Sequence, residues 1–274
     1  LIGIAILASL FVVSLIAATT IPIDTFKQWN NPGNWISYPK TTMPIWVNYF
    51  VEEKIPEHII IENPSTITKK DTISVTSHQF AIEYTYDDFP NDFIYEFSAE
   101  YSDSPLLQIS VIRPDQNKML LLSTSLPYSD EKIIHHERIF STDDSIRKNA
   151  QIQSAKMEFY RDNASSEDLV FANKDGHVLK GNYLFLVNLY GAEDYTKIID
   201  SKLILGGKAF GIMGTDELRR DLIVGLLWGT PLALLIGISV AVGSVVVGLI
   251  YGVYSGFKGR KTDETMMRFN DIIY

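Results

Sequence analysis

From Leu222 to Phe257 the chain carries no charged residue, 36 positions in a row. A stretch that long and apolar constrains the fold more than anything else here, because about 20 apolar residues already cross the hydrocarbon core of a bilayer. The excess asks for a division, and Gly229-Thr230-Pro231 supplies a place for one. Thr is a good N-cap and Pro suits the first helical position. The spacing therefore predicts a transmembrane helix from Pro231 to about Tyr254, whose 24 residues would reach roughly 36 Å at 1.5 Å per residue. Ahead of it, a short helix capped by Asp216 or Thr215 is expected to lie on the membrane surface, the alternative being that 214–230 is only a loop leading into an over-long span. Leu218, Leu222, Ile223, Leu226 and Leu227 would form the helix's apolar side and Arg219, Arg220 and Asp221 its wet side.

Small residues recur through the same run. Gly225, Gly229, Ala233, Gly237 and Ala241 are four apart, and after a step of three Ser244, Gly248, Gly252 and Gly256 continue the spacing. Small side chains four apart let helix backbones approach closely in lipid. Each step of four overshoots a full turn by about 40°, so the stripe winds around the helix and would serve more than one neighbour. The pattern predicts a polytopic membrane protein with a packed helix bundle.

Gly-Thr-Asp-Glu-Leu-Arg-Arg-Asp from Gly214, Leu-Leu-Trp-Gly-Thr-Pro-Leu-Ala-Leu-Leu-Ile-Gly from Leu226, and Tyr-Ser-Gly-Phe-Lys-Gly-Arg-Lys-Thr-Asp-Glu from Tyr254 resemble the permease subunits of dipeptide/oligopeptide/nickel ABC importers. The resemblance covers about residues 214–274 and is to the branch carrying Gly-Thr-Asp-x-x-Gly-Arg-Asp ahead of its second span. Gly214, Thr215, Asp216, Arg220 and Asp221 match that motif, while Arg219 stands where the family has Gly. The resemblance implies half of a translocation pathway for peptides or similar small solutes. It also implies a second permease subunit, cytoplasmic ATPase subunits that bind the ATP, and an extracellular solute-binding protein. Arg220 is expected to pair with a carboxylate and fix the surface helix, or else to reach lipid headgroups.

The remainder of the chain is organised differently. Leu1 to Ala18 is apolar apart from Ser9 and Ser14, which fits a first transmembrane helix over 1–20 better than a cleaved signal peptide. The sequence is read as a fragment that starts inside one helix and stops inside another, with 256–274 a cytoplasmic turn followed by the start of a third span capped by Thr262, Asp263 and Glu264. Basic residues nearly balance across the second span, with Lys202, Lys208, Arg219 and Arg220 before it and Lys258, Arg260, Lys261 and Arg268 after it, and those at the membrane exit only lean toward a cytoplasmic carboxyl side. The resemblance implies that about 21–230 lies outside it, in a multi-pass protein of the cell membrane. The sequon Asn163-Ala164-Ser165 agrees with that side.

Residues 21–56 read as an extracytoplasmic linker, in which Trp29, Trp35, Tyr38 and Trp46 either settle at the membrane interface or pack the linker onto the domain. Residues 57–205 read as mainly β. Strand signals begin at His58–Ile61, alternate through Phe80–Tyr86 and Phe93–Tyr101, and recur at Leu107–Val111, Met119–Leu122 and Tyr183–Leu189. Short strands with turns between them predict an antiparallel sandwich of immunoglobulin type, with one helix capped by Ser141-Thr142-Asp143-Asp144. The fold class is thus a membrane α-helical chain of at least two transmembrane helices and the start of a third, carrying an inserted extracytoplasmic β-sandwich-like domain. That domain would either dock the solute-binding protein or brace the transporter mouth.

Charge and motifs narrow the chemistry. The net charge is −9, a poor match for nucleic acid, and without cysteine the domain holds no disulfide. His135-His136-Glu137 is the densest ligand cluster, but neighbours on a strand point to opposite faces, so no metal is expected there. No phosphate-cradling Gly-x-x-x-x-Gly-Lys-Ser/Thr and no Gly-x-Ser-x-Gly is present. The expectation is a non-enzymatic subunit with no cofactor of its own. A membrane-anchored β-sandwich receptor or adhesion protein is the competing reading.

Overall fold

A computed structural model describes residues 2–70, 73–157, 164–192 and 196–273, and Asn163 of the sequon lies outside them. The chain divides into two compact units, residues 31–223 and a helical unit formed by 1–30 with 224–274.

The larger unit is an antiparallel β-sandwich. Its strands are β1 (Ile59–Ile61), β2 (Ser65–Lys70), β3 (Ser74–Tyr84), β4 (Asp92–Asp103), β5 (Leu106–Ile112), β6 (Lys118–Ser125), β7 (Ser129–Phe140), β8 (Gly181–Gly191) and β9 (Lys197–Gly206). One sheet runs β1-β9-β4-β7 and the other β2-β3-β8-β5-β6. The pairings β1–β9, β3–β8, β4–β7 and β5–β6 are rungs of one long antiparallel hairpin. Successive rungs fall in alternate sheets, which is the winding of a jelly roll. The immunoglobulin order, in which A, B, E and D face C, F and G, is a different one. Alternation along a strand states which face is buried, not which strand is its neighbour, so the sequence pattern could not separate the two.

The core follows the alternation. Phe80, Ile82 and Tyr84 of β3, Leu107, Ile109 and Val111 of β5, and Tyr183, Phe185, Val187 and Leu189 of β8 are all buried, against Tyr95 and Phe97 of β4 and Leu203 and Leu205 of β9. Phe80 meets Tyr95 edge-on at 5.9 Å, and Phe93 lies 5.8 Å from Phe185. Between the strands lie α3 (Asp144–Lys156) and α4 (Ser166–Phe171). Phe171 fills one end of the sandwich, 4.9 Å from Tyr84 and 4.6 Å from Tyr183. Buried Arg113 donates to the carbonyls of Leu169 and Ala172 at 3.1 and 2.5 Å, satisfying the end of α4. The capping box belongs to α4, between Ser165 and Asp168. The one expected at Ser141–Asp144 does not form, because Ser141 is buried and accepts the Phe93 N–H instead.

The segment read as a linker is part of this unit from Asn31 onward. Trp35 is buried against Tyr38, which meets Phe210 edge-on at 5.2 Å, so these two aromatics serve packing.

The helical unit contains α1 (Ile2–Thr20), α2 (Ile23–Lys27), α5 (Leu222–Lys258) and α6 (Arg260–Ile273). Helices α1 and α5 are long and apolar enough to cross a membrane. The expected break at Thr230-Pro231 does not occur: α5 is one helix of 37 residues with Pro231 inside it. A proline removes a single helical N–H, whereas ending a helix in an apolar surround leaves four donors and four acceptors bare. Thr230 is no cap, since its hydroxyl turns back onto the Leu226 carbonyl at 2.9 Å. The separate surface helix expected ahead of Pro231 is likewise absent from residues 214–221, which form turns. After α5, Gly259 turns the chain at φ +79°, and α6 starts at Arg260, so Thr262 lies inside a helix rather than at its cap.

Candidate functional site

Residues 214–221 form a compact polar knot that ties the linker to the start of α5. Gly214 has φ +74°, and a Cβ there would stand 2.1 Å from the Thr42 carbonyl oxygen, so only glycine fits. The turn delivers Thr215 into the interior. Its hydroxyl donates to the Pro39 carbonyl at 2.8 Å and accepts from the Thr42 N–H at 3.2 Å. The Thr42 hydroxyl lies 2.9 Å away and accepts the Thr215 N–H at 3.1 Å. Two threonines thus satisfy each other's backbone across the junction.

Asp216 is the hub of the next turn. Its carboxylate accepts the N–H groups of Leu218 and Arg220, both at 2.9 Å, and the Arg220 guanidinium at 2.7 and 2.6 Å. Partial burial pushes its pKa up, but Arg220 and the two amides outweigh that and hold it below the usual range. The partner expected for Arg220 is therefore Asp216, four residues back. Asp216 organises a turn and Thr215 lies buried, so neither caps a helix. The cap of α5 is Asp221, which accepts the Ile223 N–H at 3.1 Å. Burial raises the Asp221 pKa, and the Ile223 N–H opposes it.

Arg219 has φ +66°, a backbone region glycine enters freely and arginine does not. This is the position where the resembling family carries Gly. Its guanidinium donates to the Tyr38 carbonyl at 2.6 Å and lies 3.5 Å from Asp92 on β4. Burial raises the Asp92 pKa, with Arg219 pulling against it. No apolar period flags Arg219. Its signal in the sequence is only the departure from the motif.

The small residues of α5 divide by surroundings. A Cβ on Gly225 would meet the Trp29 ring at 2.8 Å, and Trp228 stacks on Phe26 at 5.4 Å. Gly229, Ala233, Gly237 and Ala241 join Leu7 and Leu10 of α1 in lining an open apolar cleft of about 580 Å³. Ser244 returns its hydroxyl to the Val240 carbonyl, and Gly248, Gly252 and Gly256 have open space where a Cβ would stand.

Elsewhere, His136 bonds Ser98 at 2.7 Å while His135 turns to Glu137 at 3.2 Å, on the other face of β7. The two imidazoles do not converge.

The class defined by this architecture is a jelly-roll domain followed along the chain by a polar knot and a long apolar helix. Curated proteins similar to part of the chain are permease proteins of peptide transport systems. The oligopeptide transport system permease protein OppC of Bacillus subtilis (strain 168) is 44% identical over 61 residues, which is 22% of this chain and 20% of that protein. OppC of Haemophilus influenzae is 34% identical over 121 residues, 44% of this chain and 38% of that protein. The di/tripeptide transport system permease protein DppC of Pseudomonas aeruginosa is 43% identical over 68 residues, 25% and 22% of the two chains. The chain thus spans 20% to 38% of these relatives' own lengths. No profile of a known protein family matches it. Among solved structures, a bacteriophage CBA120 tailspike domain overlaps with a TM-score of 0.24 at 9% identity, covering 56% of this chain and 18% of that one. A TmCBM61 module solved with β-1,4-galactotriose gives 0.22 at 7% identity, covering 62% and 95%. Overlaps that loose carry no argument about what this domain binds.

Proposed function

We propose that this chain belongs to a permease subunit of an ATP-driven importer of peptides or similar small solutes, where it forms half of the translocation pathway. The observation that carries the reading is the identity of 43–44% over 61 to 68 residues to oligopeptide and di/tripeptide permease proteins. Helices α1 and α5 would span the cell membrane of a multi-pass protein, with about 21–230 extracytoplasmic. A second permease subunit would complete the pathway, cytoplasmic ATPase subunits would bind and hydrolyse ATP, and an extracellular solute-binding protein would deliver the solute. The chain itself would hold no cofactor and catalyse no reaction.

The small residues of α5 would let neighbouring helices press against it and shift between inward and outward access. The test is ATP-dependent uptake of a labelled peptide by the intact transporter carrying Gly237→Leu or Gly248→Leu. Leucine would put a side chain where a neighbouring helix is proposed to press, so uptake should fall at unchanged membrane abundance. Undiminished uptake in both variants would refute the packing role. The jelly roll, which fills most of residues 31–223, would dock the solute-binding protein or brace the transporter mouth. Cross-linking from introduced surface cysteines separates these, since bracing predicts no adduct at any position. The bulk of that domain also keeps the receptor or adhesion reading in view. A complex lacking peptide uptake and ATPase partners would favour it.

A further inference from the structure

A second surface stands out on the larger unit. Residues 45–49 form a 3-10 turn, and the following Phe50 is 81% exposed. Trp46 is 49% exposed, and Ile212, on the facing loop, 65%. Met43, Tyr49 and Met213, close to these residues along the chain, are exposed as well. A monomeric surface rarely gathers such side chains without a partner.

The patch is built rather than loose. The Ile45 N–H donates to the Gly211 carbonyl at 3.0 Å, and the Trp46 indole donates to the Ile212 carbonyl at 2.9 Å. Trp46 and Phe50 meet edge-on at 6.2 Å. The indole N–H is thus satisfied internally while the rings face outward. The chain also fixes where the patch stands relative to the first residue of α5. Gly214, next to Met213, accepts the Leu222 N–H at 3.1 Å. From Leu222 onward no charge occurs until Lys258, whereas Asp216, Arg219, Arg220 and Asp221 crowd the residues just before. The point where charge ends is therefore tied by one hydrogen bond to the loop that presents Ile212 and Met213.

We propose that Met43, Trp46, Tyr49, Phe50, Ile212 and Met213 form a preformed foot that seats in the interfacial zone of the lipid bilayer where α5 enters it. The chemistry fits: amphipathic and aromatic rings settle at headgroup level, with apolar side chains at the acyl boundary. This inference rests on α5 spanning the membrane.

The chain has no cysteine, so single replacements can be labelled with an environment-sensitive fluorophore without background. Phe50→Cys and Ile212→Cys report the foot, Lys118→Cys the exposed start of β6, and Val245→Cys the middle of α5. The full chain is reconstituted in phosphatidylcholine nanodiscs. Labels at 50 and 212 should be blue-shifted, lose quenching by aqueous iodide, and be quenched by a lipid nitroxide near the headgroup; the label at 118 should remain open to iodide. If 245 is quenched by a deep lipid nitroxide while 50 and 212 are as open to iodide as 118, the foot is refuted and the span stands. If 245 is not reached by lipid nitroxide, the spanning reading fails and takes the foot with it. Protection of 50 and 212 from iodide without lipid quenching would mean a second copy covers the patch, and would also overturn the proposal.

Discussion

Replacing Thr215 by valine removes one oxygen from the knot and almost nothing else. Thr215 and Thr42 are 4% and 8% exposed, so water cannot replace what is lost. In Thr215→Val the Thr42 N–H and hydroxyl lose their partner at 3.2 and 2.9 Å, and the Pro39 carbonyl loses its donor at 2.8 Å. A buried polar group left unpaired costs about 1–3 kcal/mol, and two donors are orphaned at once, so the loss should be about 2–4 kcal/mol. For a unit the size of residues 31–223, each kcal/mol moves the midpoint by about 2–4 °C, giving a fall of roughly 5–15 °C. Thr215→Ser keeps the oxygen and loses a methyl, at a cost of about 1 kcal/mol. The assay is thermal unfolding of the purified chain in detergent, followed by the β-sheet circular dichroism signal. If Thr215→Val melts with Thr215→Ser, the reciprocal threonine pair does not hold the junction.

Gly214→Ala should destabilise by about 2–4 kcal/mol, since it adds left-handed backbone strain of about 1 kcal/mol to a clash with a backbone oxygen that cannot swing away; denaturant unfolding checks it. Arg113→Met should cost about 2–4 kcal/mol, because the carbonyls of Leu169 and Ala172 lose their donors inside the domain, and faster proteolysis at α4 would report the local opening. Burial lowers the His58 pKa from 6.5 to about 4, with the Ser37 carbonyl opposing and Arg219 adding to the drop. The neutral ring is favoured in the fold, so this contribution is complete above 6.5 and is lost as pH falls toward 4. His58→Gln should therefore lose less stability than the parent chain between these pH values, by up to about 3 kcal/mol, and parallel stability–pH curves would refute the assignment.

What the sequence alone determined was local. The uncharged run fixed α5 because no other element satisfies its own backbone over so long an apolar stretch. Period-two alternation fixed β3, β4, β5 and β8 and most of the core, since a strand's buried face is written in every second residue. Strands β2, β7 and β9 were not legible: Thr, Lys, Asp and His interrupt the alternation, and although β2 pairs with the adjacent β3, β7 and β9 both pair with β4, well back along the chain. The motif Gly214–Asp221 could be recognised as a unit, but not what it does. The tertiary structure decided that Thr215 is a buried clasp, that Asp216 takes Arg220, and that Arg219 reaches Asp92 from a backbone conformation suited to glycine. It also decided the jelly-roll order over the immunoglobulin one, and the continuity of α5 through Pro231. Thr215 and Arg219 in particular follow hydrogen bonds to partners as far as 181 positions away, which no local preference could announce. Such distant partners are fixed only when the whole chain has folded.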